Sequence, residues 1–314
     1  MQSLRNFLRL PAVGAIVACV LWSGAFVFIK IGVQYLPPLQ FAGIRFTIAG
    51  LLILPLAYRG TGATSPRSFL RHLTHRPGQM LTLGVFQIGM KYACFYMSLM
   101  FIPAAMAAIL GGAGPIIIAL VAHFMQPDDR LTPRKIVALI GGALGVIVLT
   151  LGRRDLGAVG EWAVLGILLS LTNNLITAFG DIWVKRESTH TPSTVISSLS
   201  LIFGGLALLL VGWAVEGIHP LPTATPFYVS LAILCTISAG GFSLWFNLLQ
   251  RPDVEVSTLN MWKFLIPLVG AILAWIMMPD EHPTWVALLG MLFIIASLMV
   301  LQRTFHRLRA LLAR

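Results

Sequence analysis

The chain has 314 residues, of which 57% are hydrophobic and 11% charged, with a formal net charge of +11. A soluble domain carries about 25% charged residues, so this composition excludes one and points to an integral membrane protein. Apolar spans and short joins take up nearly the whole length, leaving no room for a soluble catalytic or DNA-binding domain, and no nucleic acid is expected among the partners.

The N-terminus has a basic lead, Arg5 and Arg9, and then an apolar run that continues to about Tyr35. That run is longer than a secretory h-region and is read as an uncleaved first span. Ten spans are predicted, at 12–35, 38–58, 80–100, 103–125, 132–151, 161–184, 194–215, 226–249, 254–278 and 284–302. The longest loop follows the second span and carries Arg59, Arg67, Arg71 and Arg76. With the N-terminus in the cytoplasm, 16 of the 22 Lys and Arg residues lie inside. They include Arg130, Arg134, Lys135, Lys185, Arg186, Arg251 and the tail residues Arg303, Arg307, Arg309 and Arg314. Only Arg153 and Arg154 fall in outer loops, so the positive-inside rule orients a multi-pass inner-membrane protein with both termini cytoplasmic. Cys19, Cys94 and Cys235 lie far apart within spans, without metal-ligand spacing, and are read as packing residues.

A sparse, collinear repeat underlies the spans. Lys30, Pro37 and Gly50 recur 155 residues later as Lys185, Pro192 and Gly205, and Pro115, Pro127 and Asp128 recur 152 residues later as Pro267, Pro279 and Asp280. Two five-span halves follow, 1–152 and 153–314. Five is odd, so the second half must enter the membrane from the opposite side, as in the inverted repeats of secondary transporters.

The run Leu21-Trp22-Ser23-Gly24-Ala25-Phe26-Val27-Phe28-Ile29-Lys30, then Leu36-Pro37-Pro38 and Phe41-Ala42-Gly43-Ile44-Arg45-Phe46, resembles the opening of an EamA domain of the drug/metabolite transporter superfamily. Ala104 to Pro115 and the Pro-Asp turns at 127 and 279 resemble its later part, so the resemblance covers both halves. It implies an all-α integral membrane carrier, ten transmembrane helices arranged as two inverted five-helix EamA-like repeats. Such proteins are commonly exporters of amino acids or other small metabolites. The resemblance further implies a central cavity lined mainly by spans 1, 3, 4, 6, 8 and 9.

Two lysines stand out. Lys91 sits about eleven residues into the third span, ~17 Å at 1.5 Å per residue, and Lys263 about nine into the ninth, ~14 Å. Both are close to mid-bilayer, where an ion is costly and marks a functional site by default. The alternative is a structural strut tied to carbonyls of a neighbouring helix. Neither has a charged mate in the repeat: Gly111 answers Lys263, and Gly241 answers Lys91. Pro267 removes the helical bond to the Lys263 carbonyl. Lys30 and Arg45 lie nearer the outer boundary, where orienting or structural roles compete with substrate contact.

Among acidic residues only Asp181 sits well inside a span, and Lys185 one turn on is its natural partner. Deep carboxylates and histidines, the usual proton relay, are otherwise missing. If protons are coupled, a lysine with a lowered pKa carries them; uncoupled exchange is the other option. Trp22, Gln87, Tyr92, Asn173, Asn174, Trp245, Asn247, Asn260 and Trp262 lie at similar depth as candidate cavity residues, although inter-helix packing competes for each asparagine. Tyr96, Trp183 and Trp213 are candidate interfacial anchors. Gly111-Gly112-Ala113-Gly114-Pro115 lacks the ending of a phosphate loop. Gly111, Gly114 and Pro115 are instead expected to break the fourth span level with Pro267 in the ninth. Gly141 and Gly145 form a GxxxG pair suited to helix contact or dimerisation.

An intramembrane enzyme would need a nucleophile with its base, or clustered carboxylates. Asp128-Asp129 is the nearest such pair, and it falls in a basic turn. No catalytic residue, metal or cofactor is therefore expected. Two deep ammonium groups favour a zwitterionic or anionic small molecule as substrate, with tryptophans supplying apolar contact.

Overall fold

The computed structural model describes residues 10–62, 65, 67–69, 76–152, 160–277 and 282–312, with side chains up to Leu301. Arg5, Arg9, Arg71, Arg153, Arg154, Pro279, Asp280 and the side chains of the basic tail lie outside the described residues.

The described residues are helical, joined by short turns, with no strand among them. In chain order the helices are α1 (Pro11–Gly32), α2 (Pro38–Gly60), α3 (Pro77–Gly84), a π-helical turn (Val85–Met90), α4 (Lys91–Phe101), α5 (Ala104–Gly112), α6 (Gly114–Met125) and α7 (Pro133–Leu151). Then come α8 (Ala163–Arg186), α9 (Ser193–Glu216), α10 (Thr225–Leu249), α11 (Val256–Met261), a 3-10 turn (Trp262–Phe264), α12 (Leu265–Met277) and α13 (Trp285–Leu312). Proline explains many of the starts. It occupies the first turn of α1, α2, α3, α6, α7 and α10, where its fixed φ suits the helix and its missing N–H has no helical partner to lose.

Eight segments are long and apolar enough to cross a membrane: Pro11–Gly32, Pro38–Gly60, Ala104–Met125, Pro133–Leu151, Ala163–Thr189, Ser193–Glu216, Thr225–Leu249 and Val256–Ile276. The third sequence span is continuously helical from Pro77 to Phe101 but is diluted by Gln87, Lys91 and its tyrosines. The last contributes the shorter apolar stretch Trp285–Leu301. Large apolar side chains point outward, with Phe124 77% and Ile276 74% exposed. In water such surface would be a liability, whereas against lipid tails it is the normal outer face.

The chain forms two compact units, each drawing on both sequence halves. The first is Met1–Met97 with Phe179–Val254; the second is Ser98–Ala178 with Glu255–Arg314. In the first, α2 packs against α9 through small residues. A Cβ at Gly43 would meet the Leu209 nitrogen at 2.7 Å, and one at Gly50 the Ser198 carbonyl at 2.6 Å, so rising numbers on α2 meet falling numbers on α9. The Ser198 hydroxyl uses this closeness to donate to the Gly50 carbonyl at 2.8 Å. In the second unit α7 packs the same way on α13. A Cβ at Gly145 would lie 2.8 Å from the Ile294 nitrogen, and one at Gly152 2.6 Å from the Ala287 nitrogen. The GxxxG pair therefore serves a helix contact within the chain. Both pairs are antiparallel, and in both the helices approach closely because no side chain stands between them.

Candidate functional site

In the first unit the third span is irregular where its polar residues sit. The π-helical turn ends at Met90, and Lys91 opens α4. Such turns widen a helix by one residue and are often found at functional sites. Here the turn carries Gln87, which is buried and donates Nε2 to Asp181 Oδ1 of α8 at 2.7 Å. A Cβ at Gly180 would overlap that amide, so glycine lets the two helices meet there. Lys185, one turn beyond Asp181, donates Nζ to the Val254 carbonyl and to the Arg251 carbonyl at 3.3 Å. It thereby ties the end of α8 to the loop after α10.

The Lys91 ammonium lies over the faces of Tyr92 and Phe242, 4.9 and 5.6 Å from the ring centroids. Phe46 stacks against Tyr92 at 4.5 Å and meets Phe242 edge-on at 6.0 Å. Trp22 extends the cluster, 5.6 Å from Phe242 and 5.1 Å from Trp245. Trp22, Tyr92 and Lys91 are half-buried and Trp245 is buried. Arg45 is buried too, its guanidinium 4.2 Å from the Phe46 ring. Of the expected anchors, Trp213 is exposed and Trp183 half-buried, but Tyr96 is buried and packs on Tyr92 and Phe95. Tyr96 belongs to the cluster because it lies one helical turn after Tyr92, on the same face. Lys30 is exposed near the end of α1, and Asn247 is exposed with Nδ2 3.4 Å from the Ser193 hydroxyl. Cys235 is buried and donates its thiol to the Arg45 carbonyl at 3.4 Å.

In the second unit the fourth span breaks at Ala113, between α5 and α6, two residues before Pro115. Asn174 of α8 donates Nδ2 to the Leu110 carbonyl at 2.9 Å, so its amide braces the end of α5. Gly111 is exposed, whereas a Cβ at Gly114 would stand 3.0 Å from the Asn174 Oδ1. The ninth span is interrupted as well, by the 3-10 turn before α12. Lys263 is the middle residue of the 3-10 turn, half-buried between buried Trp262 and Phe264. The Leu265 N–H turns to the Trp262 carbonyl three residues back, and Pro267 sits at the third position of α12. Asn260 is fully buried and donates to the Val256 carbonyl of its own helix at 3.0 Å. Asn173 is half-buried.

Two polar clusters carried little sequence signal. Asp129, which the sequence puts in a basic turn, is buried and accepts from Lys135 Nζ at 2.7 Å, from the Ser257 N–H at 2.8 Å and from the Ser257 hydroxyl. Lys135, also buried, pairs in addition with Glu255 at 3.1 Å. One carboxylate thus joins the first turns of α7 and α11, where the helix dipole favours negative charge. In the first unit Glu216, at the end of α9, accepts from the Leu39 and Gln40 N–H groups at 2.8 and 3.1 Å. It caps α2 from 177 residues away. The one available signal was that α2 begins with prolines and brings no capping side chain of its own.

Comparison with known proteins agrees with this architecture. Residues 9–151 and 164–303 each match the EamA-like transporter family. The chain is 27% identical over 280 residues to the uncharacterized transporter YvbV of Bacillus subtilis, covering 89% of this chain and 87% of that one. It is also 27% identical over 305 residues to a protein of Escherichia coli described as a probable amino-acid metabolite efflux pump, covering 93% and 94% of the two chains. A crystal structure with 18% identity superposes with a TM-score of 0.80 over 95% of this chain and 98% of its own, which shows the shared fold.

Proposed function

Because this multi-pass membrane protein belongs to the EamA-like transporter family, we propose that it is a secondary exporter of small zwitterionic or anionic metabolites such as amino acids. The observation that carries the reading is the coincidence of charge and broken helix. Lys91 follows the π-helical turn and Lys263 centres the 3-10 turn, each in its own unit, and their positions within apolar spans argue for intramembrane depth. Transporters place substrate and ion sites at interrupted helices, where freed backbone groups and side chains face a path instead of lipid. An ammonium at each break selects for a carboxylate by Coulomb complementarity. Support for amino acids comes from the efflux-pump description of the Escherichia coli relative.

The same proposal takes the chain as ten spans in two inverted halves, 1–152 and 153–314, with both termini in the cytoplasm of an inner-membrane protein. Antiparallel packing of α2 on α9 and of α7 on α13 supports it. These are the second span on the seventh and the fifth on the tenth, and repeat mates that cross in opposite directions are what inversion requires.

Purified protein in liposomes, offered amino acids, organic acids and quaternary ammonium compounds, should move the first two classes. Lys263→Met should abolish that flux with yield and thermal stability near wild type. Strong transport of the quaternary cations alone would overturn the substrate reading, and undiminished flux in Lys263→Met would overturn the role of the lysine.

A further inference from the structure

The aromatic cluster of the first unit holds several hydrogen-bond donors with nothing to donate to. Arg45 is only 3% exposed, and its Nε and Nη1 are buried without a hydrogen-bond partner among the described residues. Trp22 Nε1 is buried and unpartnered in the same way. Guanidinium N–H groups cannot be removed by deprotonation and Arg accepts no hydrogen bond, so the deficit at Arg45 is entirely one of acceptors. Ring faces meet the cation, with Phe46 at 4.2 Å, but a quadrupole does not replace the oxygens that a fork of N–H donors demands. Lys91 adds a second cation to the same rings, over Tyr92 and Phe242. Its nearest carboxylate influence is Asp181, already engaged by Gln87. Beside the guanidinium the polar neighbour is the Tyr96 hydroxyl, whose oxygen can accept one N–H of the fork but does not meet Nε or Nη1.

An apolar cage whose polar atoms are predominantly donors, two of them on cations, is complementary to one chemical class. We propose that Arg45 is a substrate-binding residue which, with Lys91, seats the carboxylate of an organic anion whose apolar body lies against Trp22, Phe46, Tyr92 and Phe242. Arg45 is thereby moved from an orienting charge to the bidentate half of an anion seat, the geometry for which guanidinium is better suited than ammonium. Trp22, Tyr92 and Lys91 are half-buried, so the cluster has an open side, and that side carries the second cation. The inference rests on the transport reading and deepens it by naming the group that recognises the anion.

The test begins with the wild-type protein in detergent and needs no variant. Equilibrium dialysis and thermal shift are compared for phenylpropionate, its amine analogue phenylpropylamine, and acetate. Phenylpropionate should bind and raise the melting temperature, while acetate, lacking the body, and the amine, lacking the carboxylate, should do neither. Arg45→Gln should then weaken phenylpropionate binding by about tenfold or more, and Arg45→Lys, which keeps the charge and loses the fork, by less. Equal binding of the amine, or unchanged affinity in Arg45→Gln, overturns the seat. If Arg45→Gln does not fold, Arg45→Lys and Lys91→Met are measured instead, and unchanged affinity in both overturns it. Binding that depends on Arg45 with no solute moved in liposomes upholds the seat and sinks the transport reading; flux that ignores Arg45 does the reverse.

Discussion

Each unit buries cations, and the two treat them oppositely. In the second unit Lys135 has Asp129, Glu255, the Ser257 hydroxyl and the Arg130 carbonyl around it, so its charge is matched on several sides. In the first, buried Arg45 lies against the Phe46 ring, and half-buried Lys91 lies over Tyr92 and Phe242 with Asp181 as its carboxylate influence. A buried ion with a full set of partners is a fastener, because desolvation is offset by fixed groups of the fold. A buried ion with ring faces and empty N–H positions is costly to the fold alone, and a ligand that supplies acceptors recovers that cost. The difference separates architecture from recognition more sharply than depth in the membrane does.

Removing charges one at a time tests the contrast. Asp129→Ala should have the largest effect on stability, about 3 kcal/mol or more, because it strands buried Lys135 and uncaps Ser257. Thermal unfolding in detergent measures it, and the double variant Asp129→Leu with Lys135→Met should recover much of the loss. Gln87→Leu deprives Asp181 of a charge-assisted hydrogen bond and should cost about 1–3 kcal/mol in the same assay. Glu216→Gln keeps the shape of the α2 cap but loses its charge, and should cost about 1 kcal/mol. Arg45→Met should have the smallest effect, within about 1 kcal/mol of wild type or slightly stabilising, since it replaces a partly unsatisfied buried ion by an apolar side chain of similar length. A large loss of stability in Arg45→Met would erase the contrast and make Arg45 another fastener.

Much of the fold was legible. Span positions follow from apolar length, and the broken fourth and ninth spans follow from Pro115 and Pro267, whose rings exclude an N–H donor. Lys91 and Lys263 were visible as charges inside apolar runs. Other features left no local trace. The π-helical turn at Val85–Met90 has no proline to announce it. Asp129 reads as one of two aspartates in a turn, and only its neighbour 128 residues away, Ser257, shows that it is buried and shared. Asn174 carries no local sign of whether it faces a path or a neighbouring helix, and only its bond to the Leu110 carbonyl decides between them.

The sequence by itself determined that this chain lives in a bilayer, where its apolar segments run and which lysines interrupt them. These properties depend on transfer free energy summed along a segment, which is a local quantity. Only the tertiary structure decided which buried polar groups are satisfied. That depends on acceptors contributed by helices far apart in the chain: Glu216 reaching α2, Asp181 reaching Gln87, and, among the described residues, no oxygen bonded to the Arg45 Nε and Nη1.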